Sequence, residues 1–444
     1  MTSQNIKHAA ASILVLAIFA GAAAGQNAGK AIPQPVVEGL KLAPDSARVD
    51  LNLPKFSNPT KITNPLFPIT KQESVLLAGK VNGKAFRTEV TLLPYTRIIQ
   101  WEGVEIEAAV SQYVAFLDGR IEEVAIDLYA QADDGSVWYL GEDVSDFKDG
   151  VIITKDGTWH AGLDGPPAMI MPAQPKVGDV YRTENMPGIA FEEVTVASLD
   201  QTLDGPFGPI PGGMIGRELH MDGATEDKQF SPGYGEFYTS GGGDVEALAL
   251  AVPMDRASGA MPEEITQMTG GALEIFKAAG SKDWKAAAAV LKTVGEAKGR
   301  LPESEIPKLI GPRLTGAIDA LSAAVGQRNV AKARNAAIEA ARWSLDLQLR
   351  YRPAAEVDLV RLDLWAAQIL VDAAAGKAGA VRGDTFALVY TKDRVIRGLY
   401  PGAARRINLL FGELQPAAKD EELDTAAETA GKLRDVLAEL AANN

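Results

Sequence analysis

The sequence predicts an α+β protein of two domains: an antiparallel β-meander that curves into a sheet, half-barrel or barrel, followed by an up-and-down helical bundle. Three observations predict it. Asn-Gly and Asp-Gly pairs recur between β-branched and aromatic runs from about residue 60 to 253, the spacing of hairpins with type I′ turns. Beyond Pro262 the apolar residues fall three and four apart in a background of Ala, Leu, Glu, Lys and Arg, which is the helical period. The charge divides at the same place. Residues 1 to 254 hold 18 Lys and Arg against 33 Asp and Glu, and the remainder hold 26 against 25, so the net charge of −14 belongs wholly to the first part.

Taken in order, Lys7 precedes an apolar run over residues 9–24 that ends in Ala22 and Ala24, an A-x-A site. The run is shorter than the ~20 residues of a spanning helix and has the form of a secretory signal peptide over residues 1–25. The expected location is therefore periplasmic or extracellular, with no cysteine for lipid attachment and no integral membrane segment after cleavage. Residues 26–59 carry Pro33, Pro35, Pro44, Pro54 and Pro59 and read as an extended arm. The β domain, 60–253, has turn signals at Asn82-Gly83, Asp118-Gly119, Asp134-Gly135, Asp149-Gly150 and Asp156-Gly157. The helical domain, 262–444, is expected to contain helices over 263–279, 282–297, 312–325, 329–351, 355–375, 379–399, 403–414 and 420–441. Ser281 is expected to cap the second, with Asp283 in its first turn. Each domain is long enough to bury a core of its own.

The 444 residues include no cysteine and only three histidines. Disulfide frameworks, zinc knuckles, iron–sulfur ligation and thiol nucleophiles are thereby excluded. No G-x-S-x-G elbow, Walker A loop, H-E-x-x-H helix or Rossmann fingerprint occurs. An acidic surface repels nucleic acid and favours cations or basic partners.

Three groups of residues are candidates for function. Asp133, Asp134, Glu142, Asp143, Asp146 and Asp149 put six carboxylates into seventeen residues of neighbouring hairpins, oxygen ligands of the kind a hard cation such as Ca2+ takes; the same residues also suit solvated turns. In Val137-Trp138-Tyr139-Leu140 successive side chains face opposite ways, so either Trp138 or Tyr139 faces the concave side and can line a ligand pocket or simply fill the core. In the helical part, Glu339, Arg342 or Trp343, Asp346 and Arg350 form one stripe, and Asp358, Arg361, Trp365, Gln368 and Asp372 another. Packed together they would make an Asp/Arg ladder, extended by Asp384 and Arg394, or an ion or ligand site. Arg350 and Arg352 beside Tyr351 could hold an anionic substrate group by their planar forks, and Arg350 and Arg361 are the ligand-binding candidates of this half.

Asn64-Pro65-Leu66-Phe67-Pro68, the run from Tyr129 to Glu142 containing Val137-Trp138-Tyr139, Ile170-Met171-Pro172-Ala173 with Gly178-Asp179-Val180-Tyr181, and Phe230-Ser231-Pro232-Gly233-Tyr234-Gly235 resemble the signposts of a group of uncharacterised secreted bacterial β-rich proteins. The resemblance covers about residues 60–250 and departs at Ser136, where such sequences carry Asn. It implies a secreted β fold and no particular activity. The expected function is an exported, non-enzymatic binding protein with a β ligand-facing domain and a helical cap or partner domain. The alternatives are a divalent-cation-binding envelope protein using the acidic hairpin loops and a carboxylate-dependent hydrolase. The expected partner is a small molecule, a cation or an envelope protein.

Overall fold

The computed structural model describes residues 30–33, 37 and 39–442. The signal segment, its cleavage site and part of the Pro-rich arm lie outside the described residues. In the arm, β1 (Lys30–Ala31) and β2 (Asn52–Leu53) form a short antiparallel pair. The arm is anchored by chemistry as well as packing: Leu53 is buried, and Arg48 donates to Asp50 at 2.7 and 2.6 Å beside Glu193.

The large sheet is built from β3 (Ser74–Val81), β4 (Lys84–Trp101), β5 (Val104–Leu117), β6 (Arg120–Gln131), β7 (Val137–Lys148), β8 (Val151–Thr154), β9 (Trp159–His160), β10 (Ala168–Met171), β11 (Val180–Met186), β12 (Ala190–Gly205), β13 (Gly208–His220), β14 (Thr225–Ser231), β15 (Gly235–Gly241) and β16 (Asp244–Val252). Its order is β10-β7-β6-β5-β4-β3-β16-β15-β14-β13-β12-β11, with β8 and β9 pairing against β7. All its ladders are antiparallel, as a chain of hairpins requires, and β16 closes onto β3 from the far end of the domain. The two end strands, β10 and β11, lie against each other. The sheet therefore curls into a barrel-like wall around a lumen, with a seam at β10 and β11.

The turn chemistry accounts for much of this. Asn82-Gly83, Asp118-Gly119 and Asp149-Gly150 all have positive φ at both residues, the type I′ signature, and Glu102-Gly103 does the same between β4 and β5 without the expected Asn or Asp. At Asp134-Gly135 and Asp156-Gly157 only the glycine has positive φ, so those turns are of other types.

Eight helices follow: α1 (Glu263–Gly280), α2 (Trp284–Arg300), α3 (Ile310–Gly326), α4 (Val330–Gln348), α5 (Ala354–Ala374), α6 (Ala378–Val395), α7 (Pro401–Lys419) and α8 (Leu423–Ala442). The cap of α2 is Asp283, which accepts from the Ala286 N–H, while Ser281 ends α1; the expected order of the two roles is reversed because Lys282 takes a left-handed turn between them. Successive helices pack side by side, and α1 also packs on α4 and α5 on α8. The bundle is thus two four-helix groups joined through α4 and α5.

Both groups use the outer face of the sheet as a wall. Leu76, Ala78, Leu250 and Val252 share a core with α1 to α5, and Val114, Phe116, Ile121, Val124 and Phe147 share one with α5 to α8. Phe116 stacks on Trp365 with centroids 5.2 Å apart. The tip of the β7–β8 hairpin meets α6 so closely that a Cβ on Gly150 would lie 2.0 Å from the Gly379 carbonyl oxygen.

At the middle of this contact lies a buried ion network. Arg87 on β4 donates to Asp346 at 2.5 and 3.0 Å and to Glu89 at 2.8 Å. Arg361 donates to Asp346 at 2.9 Å and Asp358 at 2.7 Å, and Arg394 donates to Glu89 at 2.6 Å and Gln112 at 2.7 Å. Three guanidiniums thus meet three carboxylates, and the Glu89 carboxyl is held well below the usual range by Arg361, Arg394 and Arg87 against the opposing effect of burial. The helical ladder predicted from the two stripes exists, but a third of its charged centre, Arg87 and Glu89, comes from the sheet. Asp384 belongs elsewhere, with Asp372, around Arg120 of β6 at 3.0 and 2.7 Å.

Candidate functional site

Strand alternation decides what enters the lumen. On β6, Val124 points outward to the helices, so Glu123, Asp127 and Tyr129 point in. Carried around the wall by the ladder registers, the same rule places Ser111 and Tyr113 of β5, Glu142 and Asp146 of β7, Glu184 of β11, Glu192 of β12, Glu218 of β13, Glu226 and Lys228 of β14, Glu236 of β15 and Glu246 of β16 on the inner face. Contacts across the lumen agree. The Glu142 and Glu184 carboxyls share a hydrogen bond across the seam, and Asp127 feels the charge of Glu236, five strands away in the sheet order. The lumen is therefore lined by ten carboxyl groups, and the cationic side chains among them are Lys228 and His220.

The two ends of this lining differ. Around β12 to β14 the charges are compensated: Lys228 Nζ lies 3.0 Å from Glu218, and His220 sits 3.2 Å from Glu192 and 3.5 Å from Glu226. Hydrogen bonds donated by its ring nitrogens to Glu192 and Glu226 push the His220 imidazole up to about 10, so it carries a proton at neutral pH. Glu192, Glu218 and His220 bring three possible ligand atoms within 4.8 Å of one another, the one such metal-capable group among the described residues. Both imidazole nitrogens face carboxylates there, and the Lys228 ammonium already supplies positive charge.

Around β3 to β7, β15 and β16, Glu123, Asp127, Glu142, Glu236 and Glu246 have no Lys, Arg or His within ion-pair distance among the described residues. Burial, the first cause in each case, pushes Glu123 to about 7, Asp127 to about 7, Glu142 to about 8 and Glu246 to about 8, with neighbouring carboxylates adding to the effect. Hydroxyl groups orient them: Tyr139 donates to Asp127 at 2.9 Å, Thr88 donates to Glu246, and Thr239 donates to Glu236 at 2.7 Å. A cavity opens here, walled by the Phe67, Tyr129 and Tyr234 rings and by Ser111, Asp127, Glu236 and Glu246. The Ser111 hydroxyl is buried and has no hydrogen-bond partner. Carboxyls that hold protons near neutrality can exchange them for a cation or transfer them to a substrate.

The candidates named from the sequence fall in several places. Tyr139 is the lumen residue, stacked on Tyr129 at 4.8 Å, and Trp138 is fully buried with its Nε1 donating to Ser136. Arg361 is committed to the ion network. Arg350 donates to the Asp255 and Glu305 carbonyls and to the Glu305 carboxylate at 2.7 Å, so both guanidiniums are structural and stand outside the lumen.

The six carboxylates do not converge. Asp133 accepts from Ser57, and Asp134 accepts from Ser136, at one end of β7; Asp149 is in the turn at the other end, ~40 Å away at ~3.3 Å per residue. Asp143 pairs with Arg97 at 2.6 Å on the outer face, and only Glu142 and Asp146 enter the lumen. A single strand running between the two turns is what separates them. Glu184, Glu192, Glu218, Glu236 and Glu246 form no cluster in the sequence because each belongs to a different strand, and only closure of the sheet assembles them. The signal that could have found them is a Glu or Asp at an inward position of nearly every strand.

No protein-family profile matches the chain, and no curated protein is found to be similar to it. Among the described residues no helix is long and apolar enough to cross a membrane.

Proposed function

We propose that the chain is an exported, non-enzymatic binding protein whose ligand is a small cation taken into the lumen, with the helical half bracing the wall from outside. The observation that carries this reading is the group of lumen carboxyls without a cationic neighbour at ion-pair distance among the described residues, Asp127, Glu142, Glu236 and Glu246. Burying so many acids lowers stability, and a bound cation would offset the repulsion between them. Export is supported by the form of residues 1–25 and by the resemblance of residues 60–250 to secreted β-rich proteins.

Native mass spectrometry of the chain purified from the periplasm or culture medium tests both parts. The expected result is an N-terminus at Gly25 or Gln26 and an adduct that is lost when Asp127 and Glu246 are changed to Asn and Gln. A retained Met1 would overturn export. A bare mass, with no thermal shift from any of a panel of divalent metals and amines, would overturn cation binding.

A carboxylate-dependent hydrolase is the second reading, favoured by Glu123 and Asp127 being pushed to about 7, where acid and base forms coexist. Turnover of chromogenic glycosides that Asp127→Asn abolishes would support it.

A further inference from the structure

We infer that the lumen ligand is a small organic ammonium, held with its charge among Asp127, Glu236 and Glu246 and its apolar body against Phe67, Tyr129 and Tyr234. This rests on the lumen being a cation-binding site and narrows what the cation is. The cavity walls decide between an amine and a metal ion. A hard metal ion asks for six to eight oxygens around it. Here the three carboxyls come from β6, β15 and β16, and most of the remaining lining is carbon: the Phe67, Tyr129 and Tyr234 rings with Ile69, Val75, Leu77 and Val90. Ring faces attract an ammonium and accept its alkyl part, and offer a metal ion no ligand.

Size and polarity agree. The cavity gives about 90 Å³ to the centres of water-sized groups. That is several times the roughly 10–15 Å³ that admits one water, so a molecule of a few heavy atoms fits and a long acyl chain does not. Its lining contains no Lys, Arg or His among the described residues. Ser111, directly opposite Asp127 in the β5–β6 register, adds the independent sign of a ligand: the residue is 1% exposed and its buried hydroxyl has no hydrogen-bond partner. Buried hydroxyls are ordinarily bonded, and an ammonium offers three donors to share between a carboxylate and this oxygen.

The test is calorimetric titration of the purified chain with n-butylammonium chloride at pH 8.5, with n-butanol and calcium chloride as comparators. Saturable binding of n-butylammonium is expected, with n-butanol silent and calcium at least tenfold weaker. Asp127→Asn and, independently, Glu246→Gln should each weaken n-butylammonium at least tenfold. Ser111→Ala should weaken it severalfold while leaving the thermal midpoint unchanged, since that hydroxyl bonds to nothing in the protein. Calcium binding without n-butylammonium binding would overturn the inference and leave the cation-binding lumen standing. Binding of neither would overturn both. Equal binding of n-butanol, or binding that no variant weakens, would also overturn the inference.

Discussion

Changing Glu246 to Gln isolates the cost of the acidic lumen. The side chain keeps its shape, and its amide oxygen can still accept from Thr88. In the folded protein the Glu246 carboxyl is pushed from its usual 4.5 up to about 8, chiefly by burial and then by Glu236. A folded-state value above the unfolded one means the native state keeps a proton the unfolded chain has released. Its stabilising contribution is complete at low pH relative to the ionised form and is lost as pH rises from about 4.5 through about 8. At 1.36 kcal/mol per unit, the interval from pH 5 to pH 9 removes about 4 kcal/mol for a fully buried group. Glu246 is only half-buried, and solvent in the lumen reduces this to ~2 kcal/mol. Denaturant unfolding at five pH values between 5 and 9 reads the effect. Wild type and variant should be nearly equal at pH 5, and the variant more stable by ~2 kcal/mol at pH 9. Parallel pH profiles would show that Glu246 titrates normally and that the lumen is ordinary solvated surface.

Two further substitutions probe the scaffold. Arg361→Met should destabilise the chain by about 3–5 kcal/mol, because it leaves Asp346 and Asp358 buried with one guanidinium fewer, and a loss under ~1 kcal/mol in urea unfolding would show that the network is solvated. Gly150→Ala should lower the thermal midpoint by several degrees, since its φ of +70° disfavours a side chain and the new Cβ would strike the Gly379 carbonyl. An unchanged midpoint there would mean that the β7–β8 tip does not rest on α6.

The fold was legible because both periodicities are strong and local. Eight helices and the hairpin turns at Asn82-Gly83, Asp118-Gly119, Asp134-Gly135 and Asp149-Gly150 follow from residues close together in the chain. The site was far less so. Tyr139 came out of the Val137 to Leu140 alternation, since one of two neighbours had to face inward. The carboxyl lining did not, because proximity in sequence is a poor guide here: Asp133, Asp134 and Asp149 crowd one stretch and separate along a strand, whereas Glu142 and Glu184 are 42 positions apart and hydrogen-bond across the seam. The same holds for Arg361, whose partner Glu89 lies on β4. Long-range closure leaves no local mark on the sequence.

The ion network between β4 and helices α4 to α6 also bears on the order of events during synthesis. The ribosome releases the β half first, and its outer face must wait for helices whose residues are more than two hundred positions downstream. Arg87 and Glu89 lie in the middle of that waiting face, 2.8 Å apart in the finished fold, where they also meet Asp346 and Arg394. A charged pair at the centre of a sheet face works against edge-on or face-on sticking of one copy to another while that face is uncovered. The same two charges are left without their helical partners unless α4 to α6 dock in place, so one device serves both solubility before completion and the fit at completion.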